Sequence, residues 1–207
     1  MPNYGPSEGE GEIMFTGEDF REDFQGVEIG CKLGDSIGQG ELVAANTIKC
    51  VVEEMELVDE GEGLVVHLAL NSYSWVGGRD EDVLYRPYGI LQVNPASGPY
   101  DGFTDVMISG RGFAEDYAEK GRCRFGTDSN YAIVDAEVLD YSKMICRSPE
   151  EFQLPEGADQ MLSVPISIAF GDEEFMPWTL GTHRYRFYNQ PKIEYALPEE
   201  VRIGKFS

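Results

Sequence analysis

Asn94-Pro95-Ala96-Ser97-Gly98-Pro99-Tyr100-Asp101-Gly102-Phe103-Thr104-Asp105-Val106, followed by Ser109-Gly110-Arg111-Gly112-Phe113, has a counterpart earlier in the same chain. Pro2-Asn3-Tyr4-Gly5-Pro6-Ser7-Glu8-Gly9 aligns with Pro95 to Gly102, and Ile13-Met14-Phe15-Thr16-Gly17-Glu18-Asp19-Phe20 with Val106 to Phe113. The correspondence continues outward. Cys31-Lys32-Leu33-Gly34 matches Cys123-Arg124-Phe125-Gly126, Ile48-Lys49-Cys50 matches Met144-Ile145-Cys146, and Val66-His67-Leu68-Ala69-Leu70 matches Ile166-Ser167-Ile168-Ala169-Phe170. Tyr85-Arg86-Pro87-Tyr88 closes the first copy as Tyr185-Arg186-Phe187-Tyr188 closes the second. The offset drifts from 93 to 100, as small loop insertions produce. So many collinear matches read as two copies of one domain.

Each copy reads as all-β. Asp105 to Ser109, Arg122 to Phe125 and Val164 to Ile168 alternate apolar and polar residues at period two. Gly, Pro, Asn and Asp clusters interrupt them at the spacing of a β-sandwich. With 24 Gly and 11 Pro, long helices have few places to sit. A short helical turn is expected at Phe113 to Glu119 and at Phe20 to Gly26. Gly-Pro-x-x-Gly at Gly5 to Gly9 and Gly98 to Gly102 sets a turn with glycine free to take positive φ. Gly110-Arg111-Gly112-Phe113 is too short for a nucleotide loop and lacks a surrounding βαβ pattern, so it also reads as a turn.

These residues, with Ile145-Cys146-Arg147-Ser148-Pro149 and Tyr185 to Pro191, resemble the IPT/TIG domain. The resemblance implies two tandem immunoglobulin-like β-sandwiches, residues 1–89 and 90–190, with 191–207 opening a third repeat or a linker. It is weaker in the first copy, where Glu18-Asp19 replaces a glycine and no Ser-Pro follows Cys50. Ile90 to Asn94 has no counterpart ahead of Pro2, whereas Ile193-Glu194-Tyr195-Ala196-Leu197-Pro198 repeats the spacing of Ile90 to Pro95. The chain therefore reads as a piece of a longer array, with Met1 an added start. The resemblance further implies disulfides Cys31–Cys50 and Cys123–Cys146, as in ectodomain members. Buried free thiols are the alternative. Zinc lacks its Cys-x-x-Cys spacing and matching histidines.

Charge and composition narrow the function. The 207 residues carry 38 acids and 16 Lys+Arg, a net charge of −22, with 19 of the acids and only 5 bases in residues 1–89. Nucleic-acid binding needs a basic stripe and direct docking on anionic lipid needs basic residues, so neither is expected. Apolar stretches are too short to span a membrane. No Gly-x-Ser-x-Gly, His-Glu-x-x-His or P-loop occurs, so no enzyme and no cofactor are expected. Acidic runs usually form solvated surface. Asp80-Glu81-Asp82, near the junction of the copies, is the best candidate for a calcium contact.

Trp75 and Trp178 precede the last strand of each copy and are candidates to anchor a protein partner or stack on sugar, with loop packing as the competing role. Pro87-Tyr88-Gly89 joins the copies with almost no linker, which predicts a semi-rigid rod whose angle the junction sets. The expected function is a non-catalytic scaffold or adhesion module contacting other protein domains, including neighbouring repeats. A carbohydrate-binding accessory module and a calcium-dependent ectodomain are the alternatives. Paired cysteines favour an ectodomain. The absence of any Asn-x-Ser/Thr sequon favours an intracellular scaffold, for example a ciliary or cytoskeletal one.

Overall fold

The computed structural model describes residues 4–18, 20, 28–71, 74–77, 84–113, 121–150, 152, 161–171 and 177–195. Among these, every regular element is a strand. The first eight are β1 (Tyr4–Pro6), β2 (Glu8–Thr16), β3 (Ile29–Leu33), β4 (Ser36–Ala44), β5 (Thr47–Glu54), β6 (Leu64–Ala69), β7 (Trp75–Gly77) and β8 (Leu84–Asn94). The remaining seven are β9 (Ser97–Pro99), β10 (Asp105–Arg111), β11 (Gly121–Thr127), β12 (Asn130–Asp140), β13 (Lys143–Arg147), β14 (Met161–Phe170) and β15 (His183–Tyr188). They form one curled path of pairings, β2-β5-β4-β3-β6-β8-β10-β13-β12-β11-β14-β15-β9, with β1 on β8 and β7 on β6. The protein is all-β. The helical turns expected at Phe113 to Glu119 and Phe20 to Gly26 fall largely outside the described residues.

The internal sequence match becomes a match of register. Ile13 stands opposite Cys50 as Val106 stands opposite Cys146. Cys31 faces Leu68 as Cys123 faces Ile168, and Gly40 faces Cys50 as Ala136 faces Cys146. Short parallel pairings recur too, Tyr4–Pro6 on Arg86–Tyr88 and Ser97–Pro99 on Arg186–Tyr188. Because side chains alternate at period two, a one-residue slip would turn every apolar residue outward, so equal register places equivalent residues on the same face.

Alternation also explains the curl. β12 alternates half-buried and exposed residues along its whole length. Its first half, to Asp135, pairs with β11, and its second half, from Ala136, pairs with β13. One strand thereby passes from one layer to the other, the usual way a sandwich turns its corner. Two clusters of buried side chains result. One gathers Ile13, Cys31, Leu33, Cys50, Val52 and Tyr85. The other gathers Val106, Ile108, Phe113, Cys123, Phe125, Cys146, Tyr185 and Phe187, and it also takes in Tyr4 and Tyr88 from earlier in the chain. Both cysteine pairs are disulfide-bonded at the centres of these clusters, Cys31–Cys50 and Cys123–Cys146, each with a Cα–Cα distance of 6.3 Å.

Candidate functional site at the strand shared by both halves

Pro87, Tyr88 and Gly89 lie in the middle of β8, with no break in the strand. Leu84 and Tyr85 pair with β6, Arg86 to Tyr88 pair with β1, and Gly89 to Asn94 pair with β10. An edge proline would normally forfeit a ladder bond; here the pairing on that stretch is parallel and Pro87 is buried between flanking pairs. Four successive residues, Pro87 to Ile90, are buried. A flexible linker would instead expose its backbone to water.

Tyr88 anchors the crossing. Its ring is fully buried, edge-on to Phe170 at 5.0 Å and tilted against Tyr4 at 6.5 Å. Its hydroxyl donates to the Pro177 carbonyl. The Ser7 amide donates to the Tyr88 carbonyl at 2.8 Å, and the Ser7 carbonyl accepts from the Met55 amide at 2.7 Å. The turn after β1 and the segment after β5 are thereby tied to the shared strand. A side chain at Gly89 would press on Ser7 and Leu57. Gly112, at φ 77°, turns the chain out of β10 so closely over the strand that an added Cβ would sit 2.8 Å from the Tyr88 Cα. Glycine is required there on both counts.

A second set of contacts flanks the strand. The Tyr141 hydroxyl donates toward the carbonyls of Val58 at 3.0 Å and Asp59 at 3.2 Å, and Arg111 pairs with Asp59. Asp59 is mostly exposed, so this ion pair contributes little beyond orientation. The crevice lined by Ser7, Glu8, Gly89, Ile90, Thr179, Leu180 and Thr182 holds no room for a water molecule. These contacts make a packed seam. They offer no cavity for a substrate.

Burial gives the seam a pH signature. It pushes the Tyr85 hydroxyl far above its ordinary value of 10, and it pushes Tyr88 up likewise. Both folded-state values exceed the unfolded one, so the unfolded chain releases its protons first. The stability these two groups contribute is therefore fully present below pH 10 and is lost progressively as the pH rises above it. Urea unfolding between pH 8 and 11.5 should show a flat region and then this decline. A midpoint unchanged at pH 11.5 would contradict it.

The remaining sequence candidates lie apart from one another. Trp75 is on β7, paired with β6, and is 39 % exposed over Gly30. Trp178 is half-buried, with the Arg124 guanidinium 5.0 Å above its ring, so one face already has a partner. Asp80, Glu81 and Asp82 lie outside the described residues. Among the described residues, no three His, Cys, Asp or Glu side chains converge as metal ligands, and no helix is long and apolar enough to cross a membrane. A groove of about 630 Å³ opens where β4 and β5 part, lined by Ser36, Ile37, Val52, Glu53 and Glu54 among others. Its reactive side chains are the carboxylates of Glu53 and Glu54 and the hydroxyl of Ser36. Sequence reading missed Tyr4, Ser7, Asp59, Arg111 and Tyr141 as seam residues. Tyr4, Ser7 and Arg111 carried a signal, through their places in the repeated segments; Asp59 and Tyr141 carried none.

An all-β fold that switches layers along one strand and is pinned by a buried disulfide is an immunoglobulin-like arrangement. Residues 87–172 match the family model described as IPT/TIG domain. No curated protein matches the chain. Among solved structures it is similar to the full extracellular region of plexin A4, domains 1 to 10, at 18 % identity and a TM-score of 0.44 over 94 % of this chain. A second plexin A4 structure, with domains 1 to 8, aligns at 10 % identity and a TM-score of 0.43 over 79 % of this chain. The chain spans 16 % and 24 % of the length of those two structures.

Proposed function

We propose that the chain is a non-catalytic interaction and spacer module. In this reading the IPT/TIG domain is the second of two tandem immunoglobulin-like units, residues 1–89 and 90–190, with 191–207 leading onward. The module belongs to a scaffold or adhesion protein and contacts other protein domains, neighbouring repeats included. The observation that carries the reading is β8, a single strand hydrogen-bonded to β6 and β1 at one end and to β10 at the other. The equal registers of the two halves support the duplication, and the packing around Tyr88 supports a fixed angle.

Such a joint transmits orientation. A partner bound on one unit is held at a set direction relative to whatever the other unit carries, without the entropy loss of ordering a linker. Small-angle X-ray scattering tests this. The expected result is a curve fitted by one inter-unit angle. A curve that demands a broad spread of angles would overturn it.

A further inference from the structure

β4 and β5 run as a pair and then part. Their pairing extends as far as Gln39–Val51; beyond it β4 continues on β3 alone, and β5 on β2 alone. At the parting the backbones almost touch, and a Cβ on Gly38 would run into the Val51 carbonyl oxygen. The groove of about 630 Å³ opens there, with Ser36, Ile37 and Gly38 along one wall and Val52, Glu53 and Glu54 along the other.

The main-chain edges of this groove are open. In an antiparallel ladder each residue turns its N–H and C=O to one side, and successive residues alternate. The two-residue turn at Gly34-Asp35 makes Leu33 and Ser36 a bonded pair, and Cys31 with Gly38 the next. Ile37 and Gln39 therefore turn their main-chain groups away from β3. Gln39 meets Val51, whereas Ile37 meets no second strand among the described residues. The same count along β5 turns the main-chain groups of Glu53 away from β2. An open strand edge accepts an added strand. Ile37 is 67 % exposed, and Glu53 and Glu54 are exposed carboxylates with no base paired to them among the described residues.

We propose that this groove takes one extended segment of another protein, laid along β4 as an added strand and carrying Lys or Arg at alternate positions. The main chain of Ile37 sets the register of the segment, and Glu53 and Glu54 select its charge. Residues 1–89, with 19 acids and 5 bases, attract such a segment from a distance. The net charge of −22 disfavours a second copy of the chain as the occupant. The other half lacks the selecting wall. β12 has a similarly open edge before Ala136, and Ile133 is the exposed counterpart of Ile37. In that half, however, the positions of Val51, Val52 and Glu53 are held by Arg147, paired with Asp105, by buried Ser148, and by Pro149, which has no N–H. The proposal gives the interaction reading above a site and rests on that reading.

Titration of the native chain with the capped hexapeptide Lys-Val-Lys-Val-Lys-Val, followed by NMR amide shifts at low and raised salt, tests it. Shifts should centre on Ser36–Gln39 and Val51–Glu54, and binding should weaken as salt screens the charges. The peptide with Glu in place of Lys should not bind. Glu53→Lys together with Glu54→Lys should weaken binding roughly tenfold and leave the unfolding midpoint unchanged, since both side chains are exposed. Ile37→Pro removes an N–H that faces away from β3 and should abolish binding. Two N-methylated peptides, one methylated at every Lys and one at every Val, probe the same bond on the unaltered protein, and at least one should fail to bind. Equal affinity for the acidic peptide or for the charge-reversed protein, undiminished binding of both methylated peptides, shifts confined to other strands, or no binding at millimolar peptide would overturn the proposal. So would self-association of the chain alone that Ile37→Pro abolishes, because a second copy would then be the occupant. None of these outcomes bears on the joint at Tyr88, which scattering tests separately.

Discussion

Tyr88→Ala should lower the unfolding free energy by about 3–5 kcal/mol, the range for removing a large buried ring. The ring has no exposed surface and meets Phe170 and Tyr4 from different strands, so neighbours on several sides would have to move to fill the hole. Tyr88→Phe separates the two contributions. It keeps the ring and removes only the hydrogen bond to the Pro177 carbonyl, at a cost of about 1 kcal/mol. Urea denaturation of the three proteins measures both. A loss below 1 kcal/mol for the alanine variant would mean that the crossing strand is not held by this side chain.

Loss of the disulfides should have an effect of similar size. Cys31–Cys50 and Cys123–Cys146 span sequence separations of 19 and 23, and loop-closure entropy assigns each about 3 kcal/mol. Replacing either pair by alanines should lower the unfolding midpoint strongly. Replacing both removes about 6 kcal/mol, a large share of the 5–15 kcal/mol typical of a folded domain. Thiol titration of the native protein, denatured without reductant, should find no free thiol. Four titratable thiols would contradict the bonded state and would point to a reducing compartment.

Much of the fold was legible in the residues, and the reason is periodicity. The offset between Cys31 and Cys123 and that between Cys50 and Cys146 carried over into strand register, because a strand of alternating character admits only one pairing that buries its apolar side. The sequence reading placed Pro87-Tyr88-Gly89 between the two repeats, and the structure has these residues in the middle of β8. Their continuity within a strand was not legible. Gly and Pro in succession signal a turn by local chemistry, yet here they sit inside a strand, because Ser7, Met55 and Gly112 close over the backbone from both sides. Tertiary packing outweighed the local preference.

The partners of the seam were hidden for a related reason. Asp59 lies in the acidic stretch Asp59-Glu60-Gly61-Glu62, and its pairing with Arg111 depends on a fold-wide approach of residues 52 positions apart. Tyr141 binds two carbonyls, which have no sequence signature at all.

Hydrogen exchange along β8 probes the shared strand most directly. If one unbroken strand joins the halves, the amides from Tyr88 to Gln92 exchange slowly, and those that are hydrogen-bonded open only with the units that flank them. Exchange at Tyr88, Gly89 and Ile90 near the rate of an unstructured peptide, between protected neighbours on either side, would show a hinge and would contradict the rigid joint proposed here.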